Sequence, residues 1–274
     1  MEQDQLRPIF IVGMPRSGST VFYETLARHP DLAWISKITR KAPSSLLLCR
    51  ALLLLRSDHV PVEAGSMWDR FVARDDDTLT RHDARPAHRR FLRRVVRNHL
   101  TLQGKPRFLN KCPRNGLRIG FLKEIFPAAV FVHLVRDGRA VVQSVLRMRE
   151  THGGREAWWD VKPPDWRLLA TLPPLEAIAR QWVSTVTLTR TYGRALDDGA
   201  YLECRYEDFV ADPIPTIDRV ARACDLVWDE AALTHAVRGI QTQNHKWRQA
   251  FDPEQIAVLD SILSATMESF GYDH

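Results

Sequence analysis

The chain has 274 residues, 45% of them hydrophobic and 26% charged, with a formal net charge of +6. That is enough apolar residue to bury a full core, and no period of 20–50 residues and no low-complexity tract interrupts it, which excludes repeat, collagen-like and disordered classes. The longest apolar run, Leu46–Leu55, is broken by Cys49-Arg50 and is half the ~20 residues needed to span a bilayer, so it reads as a buried or cleft-lining helix rather than a membrane segment.

In chain order the hydrophobic periods predict a strand over 8–13, a helix over 19–29, a strand over 106–109, a helix over 114–125, a strand over 130–135 and helices over 137–149 and 175–196. A strand over 200–204 and helices near 213–223, 229–239 and 253–270 follow. Strands interleaved with helices predict an α/β fold, a parallel sheet flanked by helices on both faces. Residues 1–274 are expected to form one domain, with a helical insertion over about 36–104 as a cap on the acceptor side and a second cap segment over 151–175. With the first strand expected by residue 9, no signal peptide is expected. Cys49, Cys112, Cys204 and Cys224 form no C-x-x-C pair. Reduced thiols and a cytoplasmic location are expected.

Ile9–Thr20, IFIVGMPRSGST, reads as an apolar strand entering a small-residue turn at a helix start. Backbone N–H groups converge there and the helix dipole adds positive charge, so the turn should hold an anion. Gly13, Gly18 and Thr20 have the spacing of a nucleotide-binding P-loop, but Ser19 stands where an NTPase has its lysine. Arg16 offers a two-pronged cation instead, which suits an anion shorter than a triphosphate. A second apolar strand, Ala128–Val135, runs into Arg136-Asp137-Gly138-Arg139, with Ser144 two helical turns beyond Arg136. An arginine at the carboxyl end of a parallel strand sits where open α/β sheets bind ligands. Arg136 with Ser144 makes a clamp for a phosphate monoester.

On these residues the chain resembles the sulfotransferases that use 3′-phosphoadenosine-5′-phosphosulfate (PAPS), in particular the bacterial, tyrosylprotein and carbohydrate members. PRSGST is similar to their 5′-phosphosulfate loop, and VRDGRAVVQS to their 3′-phosphate motif. LNKCPRN (109–115), CRYEDFVADP (204–213), KWR (246–248) and FGYD (270–273) follow in the family's order. The resemblance implies a P-loop-like sheet and transfer of a sulfuryl group from PAPS to a hydroxyl or amine, releasing 3′-phosphoadenosine-5′-phosphate (PAP). It implies that Pro15, Arg16, Ser17, Gly18, Ser19 and Thr20 hold the phosphosulfate and that Arg136 and Ser144 hold the 3′-phosphate. Tyr206, Lys246 and the Trp247 backbone fall on the nucleotide side. Arg16 and Lys111 are the implied catalytic cations, with no metal required and no metal-ligating cluster in the sequence.

The base is where the chain departs from the family. Pro113 stands two residues after Lys111, where cytosolic members carry a histidine, and HPDLAWISKITR (29–40) lacks the glutamate of tyrosylprotein members. Glu63 is the leading candidate, ahead of His82, His88 and His99. Trp158, Trp159 and Trp166 could stack on a sugar or phenol, and the acceptor can be a small molecule, carbohydrate, lipid or peptide. Arg81–Arg97 holds seven arginines in seventeen residues. It reads as a helix with one solvated basic face and Phe91, Leu92, Val95 and Val96 packed inward, not as a nucleic-acid site. A P-loop kinase or NTPase, or a non-enzymatic nucleotide or nucleic-acid binder, are the alternatives.

Overall fold

The structure is a computed structural model that describes residues 6–55, 60–72, 74–152, 154, 158–242 and 246–272. Five strands form one parallel sheet: β1 (Ile9–Val12), β2 (Leu32–Ala33), β3 (Arg107–Lys111), β4 (Val130–Val135) and β5 (Tyr201–Arg205), in the spatial order β2-β3-β1-β4-β5. The described helices are α1 (Ser19–Leu26), α2 (Leu46–Leu55), α3 (Gly65–Asp69), α4 (Pro86–Gln103), α5 (Ile119–Ile125) and α6 (Gly138–Thr151). The C-terminal half adds α7 (Trp166–Leu169), α8 (Pro174–Arg194), α9 (Tyr206–Ala211), α10 (Pro213–Ala223), α11 (Glu230–Ala236) and α12 (Pro253–Ser269).

The central strands are covered on both faces, which is why IFIV and VFVHLV read as unbroken apolar runs. Along β1, Ile9 and Ile11 point into a core shared with Phe22 and Leu26 of α1, Ile217 and Val220 of α10 and Leu233 of α11. Phe10 and Val12 point the other way, onto Leu92, Val95 and Val96 of α4 and Leu122 of α5. A third core joins α6, α8 and α12 around Trp182. Local signals end the helices: Pro86 opens α4 and Gly104, at φ +61°, closes it, while Asp252 and Gln255 form a reciprocal cap on α12.

The parallel α/β architecture is as expected, and three local readings change. The first helix stops at Leu26 rather than continuing to 29, because the His29 ring accepts the Asp31 N–H (3.1 Å) and Pro30 follows. Residues 114–125 divide into a 3-10 turn, Pro113–Arg118, and the short α5. Leu46–Leu55 is helical, but it is neither buried nor part of the main cleft: Leu47 is 77% and Leu54 89% exposed. The sequence reading of α4 holds, with Leu92, Val95 and Val96 buried under its arginine-rich outer side. All four cysteines are free and buried. No described helix is long and apolar enough to cross a membrane.

Candidate active site

A cleft of about 760 Å³ opens at the carboxyl ends of β1, β3 and β4, the position where a strand order reverses and α/β sheets take their ligands. The turn between β1 and α1 forms its floor. Gly13 (φ +139°) has no room for a side chain, since a Cβ would lie 2.3 Å from the Leu134 carbonyl oxygen. Gly18 (φ +81°) presses on the Tyr206 ring, where a Cβ would also meet atoms at 2.3 Å. Between them Arg16 adopts φ +69°, a conformation rare for a residue with a Cβ, and Ser17 N–H bonds the Met14 carbonyl at 3.3 Å. Gly18 caps α1 with no side chain, and the first turn of α1 carries no acid. Its leading N–H groups therefore keep their positive pole for an anion.

The two motifs read from the sequence meet here. Arg16 Nε donates to Ser144 Oγ at 3.0 Å, joining the loop to the second turn of α6, and an Arg136 amine donates to the Arg16 carbonyl at 3.1 Å. Arg136 lies over the Tyr206 ring, 4.5 Å from its centroid, and is buried. Burial pulls the Arg136 guanidinium below its ordinary range, with Tyr206 and Glu207 opposing, and at that strength of basicity it stays charged. Glu207 is itself positioned by the Asp137 N–H (3.1 Å) and the Tyr272 hydroxyl (2.7 Å).

Lys111 ends β3 on the opposite wall. Its ammonium donates to Thr20 Oγ1 at 3.3 Å and forms an ion pair with Glu63 Oε1. Lys111 is 4% exposed, and burial pushes its pKa down to about 8, with Asp160 and Glu24 among the groups pulling the other way. Glu63 reaches the cleft because its backbone is anchored. Val62 N–H bonds Ile35 O at 2.9 Å, and Asn110 Nδ2, next to Lys111 on β3, donates to Glu63 O at 3.2 Å.

Pro15, Arg16, Gly18, Ser19, Thr20, Glu63, Lys111, Arg136, Ser144, Tyr206 and Lys246 therefore share one cleft. Ser17 and Trp247 do not line it: Ser17 is fully buried inside the turn, and Trp247 packs its ring under Arg139, 4.4 Å away. His82, His88 and His99 lie elsewhere. His88 bonds Asp83 O, and His99 is buried against Val95 O and Thr39 Oγ1. Of the three tryptophans only Trp159 borders the cleft, while Trp158 and Trp166 pack on each other at 5.7 Å.

Sequence reasoning missed Asp160. It borders the cleft at φ +62°, held by Arg114 Nε at 3.0 Å. Burial raises its carboxyl above the usual range while Arg114 opposes the shift. Arg114 also pairs with Asp69, and Arg118 with Asp69 (3.0 Å) and Asp77 (2.7 Å). This ionic network fastens the Trp159–Asp160 segment beside Lys111. No motif marks it. The only sequence signal was a pair of arginines soon after a strand end, with their acids far away in the chain.

The chain belongs to the sulfotransferase family, which it matches over residues 8–230. It is 26% identical over 228 residues to a protein-tyrosine sulfotransferase of Drosophila melanogaster, covering 83% of this chain and 40% of that one. The chain spans about half the length of the curated relatives it matches. Among solved structures, sulfotransferase STF1 from Mycobacterium tuberculosis H37Rv superposes with a TM-score of 0.63 at 15% identity, covering 95% of this chain and 77% of that one. Mouse sulfotransferase SULT7A1, complexed with PAP, gives a TM-score of 0.52 at 12% identity, covering 97% and 90%. At these identities the likeness is one of fold.

Proposed function

We propose that this chain transfers a sulfuryl group from PAPS to an acceptor hydroxyl and releases PAP. The observation that carries the reading is a single cleft in which Arg16 joins Ser144 and Arg136 while Thr20, on the same turn as Arg16, meets Lys111. That donor set fits a nucleotide with two separated anionic groups. The side-chain-free start of α1 and Arg16 suit the phosphosulfate, and Arg136 and Ser144 suit a 3′-phosphate. Ser19 in place of the P-loop lysine leaves a triphosphate without its usual cation. Lys246 closes the nucleotide end, with Tyr206 between Gly18 and Arg136.

When bound, PAPS supplies a sulfuryl group joined to a phosphate that leaves with negative charge. Lys111, Arg16 and the N–H groups of α1 would meet that charge, and a preorganised donor of this kind needs no rearrangement during the reaction. Glu63 is about half exposed and in contact with Lys111. We assign it to accept the acceptor's hydroxyl proton. Trp159 and Asp160, from the segment 151–175, border the acceptor side together with Glu63 from the segment 36–104. The relatives named protein-tyrosine sulfotransferases support a phenolic hydroxyl as one acceptor. Four buried free thiols support a reducing, cytoplasmic compartment.

Calorimetry with PAP, 5′-AMP and ATP tests the nucleotide assignment. PAP should bind 10- to 150-fold more tightly than 5′-AMP, since a charge-assisted phosphate contact is worth about 1.5–3 kcal/mol. Equal affinities would refute the 3′-phosphate clamp, and preference for ATP would favour a kinase.

A further inference from the structure

Away from the cleft, α2 and α4 share a floor. Cys49, on the inner side of α2, approaches the carbonyls of Thr39 (3.8 Å) and Ala42 (3.3 Å). His99, on the inner side of α4, meets Thr39 Oγ1 at 3.1 Å. Asn98 Nδ2 reaches across to the Pro43 carbonyl at 3.5 Å. Because Thr39 lies beneath both helices, their outer sides face away from the same support.

Those outer sides have an unusual composition. On α2, Leu47 (77%), Leu48 (56%) and Leu54 (89%) are exposed. Single exposed leucines are ordinary, but three on one ten-residue helix make a patch. On α4, Arg90, Arg94 and Arg97 are exposed and follow the i, i+4, i+7 spacing of one helix face. Residues 36–55 and 86–103 together hold nine Lys and Arg and not one Asp or Glu. Arg89 turns aside to Glu124 of α5 at 2.9 Å, and Arg93 to the Ile125 carbonyl at 3.2 Å. A leucine patch beside a basic face is the composition of an interfacial membrane-binding surface. A surface that only tracked phosphates along a nucleic acid would gain nothing from the leucines.

We propose that the outer faces of α2 and α4 dock this protein on an anionic lipid bilayer, with Leu47, Leu48 and Leu54 entering the interface and Arg90, Arg94 and Arg97 meeting the headgroups. This does not rest on the catalytic reading.

The test is sedimentation of the full chain with phosphatidylcholine vesicles and with vesicles of phosphatidylcholine mixed with phosphatidylglycerol. Binding to the anionic vesicles only, weakening as salt is raised, is expected. Arg90→Glu with Arg94→Glu should reduce partitioning at least about thirtyfold, from roughly 1 kcal/mol per cation near the surface. Leu47→Ser with Leu54→Ser should reduce it about tenfold or more while keeping the salt dependence. All four positions are exposed, so the melting temperatures should stay with the parent's, and the salt titration of the unaltered chain gives a readout that needs no variant. Absence of binding, equal binding to both vesicle types, or undiminished binding by the arginine pair variant would overturn the proposal. So would tight binding of a duplex oligonucleotide with none to vesicles, which would give the arginines to nucleic acid.

Discussion

If Lys111 stabilises the departing phosphate, it must carry its proton, and burial makes that proton easy to lose. The side chain sits at about 8 in the folded protein against 10.5 when free. Above pH 8, kcat/KM should fall about tenfold per unit, to roughly a tenth of its plateau at pH 9. Stability should move the opposite way. The unfolded chain binds the proton more tightly than the folded one, so the cost of keeping a buried ammonium is full below about pH 8. It is relieved as pH climbs toward 10.5, and the difference is on the order of 3 kcal/mol. Initial rates and thermal melts, both run from about pH 6 to about pH 10, separate the two effects. Lys111→Ala should lower kcat on the order of 10²–10³-fold and leave PAP affinity nearly unchanged. Lys111→Arg should recover little rate but lose the alkaline limb, because a guanidinium stays charged. A kcat/KM that is flat to about pH 10, or that falls in step with the melting temperature, would refute the argument.

Arg136→Ala should abolish the preference for PAP over 5′-AMP without abolishing nucleotide binding, which competition calorimetry will read. Gly18→Ala forces a Cβ against the Tyr206 ring at φ +81°. It should cost about 1–3 kcal/mol by thermal melt and weaken PAP binding well beyond that of a surface glycine such as Gly199. Burial pushes Cys112 up to about 11 and Cys204 and Cys224 up to about 12, and raises Cys49 as well. A thiol reagent should therefore find no reactive cysteine in the native protein and all four after denaturation; rapid native labelling would place a cysteine at the surface.

The parts of this protein legible in its sequence are those governed by short-range rules. Gly13 and Gly18 follow an apolar strand at a spacing only a tight turn needs, and Arg136 and Ser144 are two helical turns apart, so each half of the cleft could be read alone. That Arg16 would touch Ser144 required the sheet order, which no local pattern contains. Glu63 was visible as a carboxylate in a loop, but its contact with Lys111 depends on Val62 pairing with Ile35 and on Asn110 holding its carbonyl. Asp160 was invisible because its partner Arg114 is 46 residues away and its backbone conformation is atypical for its type. Leu46–Leu55 was misjudged because apolarity predicts a helix there without saying how much of it the rest of the chain covers.

The central position of β1 shapes how this protein can be made. Ile9 pairs with Leu109 on one side and with Val130 on the other, and β4 in turn pairs with β5, where Val135 meets Arg205. A ribosome must therefore release more than a hundred residues before the first strand acquires either neighbour. Until then IFIV is an unpaired apolar segment with both edges open, while α4, built from local contacts, can form early. The anion-binding turn, which hangs from the end of β1, takes shape only when β4 arrives to supply Leu134 beneath Gly13. Nascent chains arrested before residue 130 should thus engage chaperones, and nucleotide would have nothing to hold until β4 has emerged.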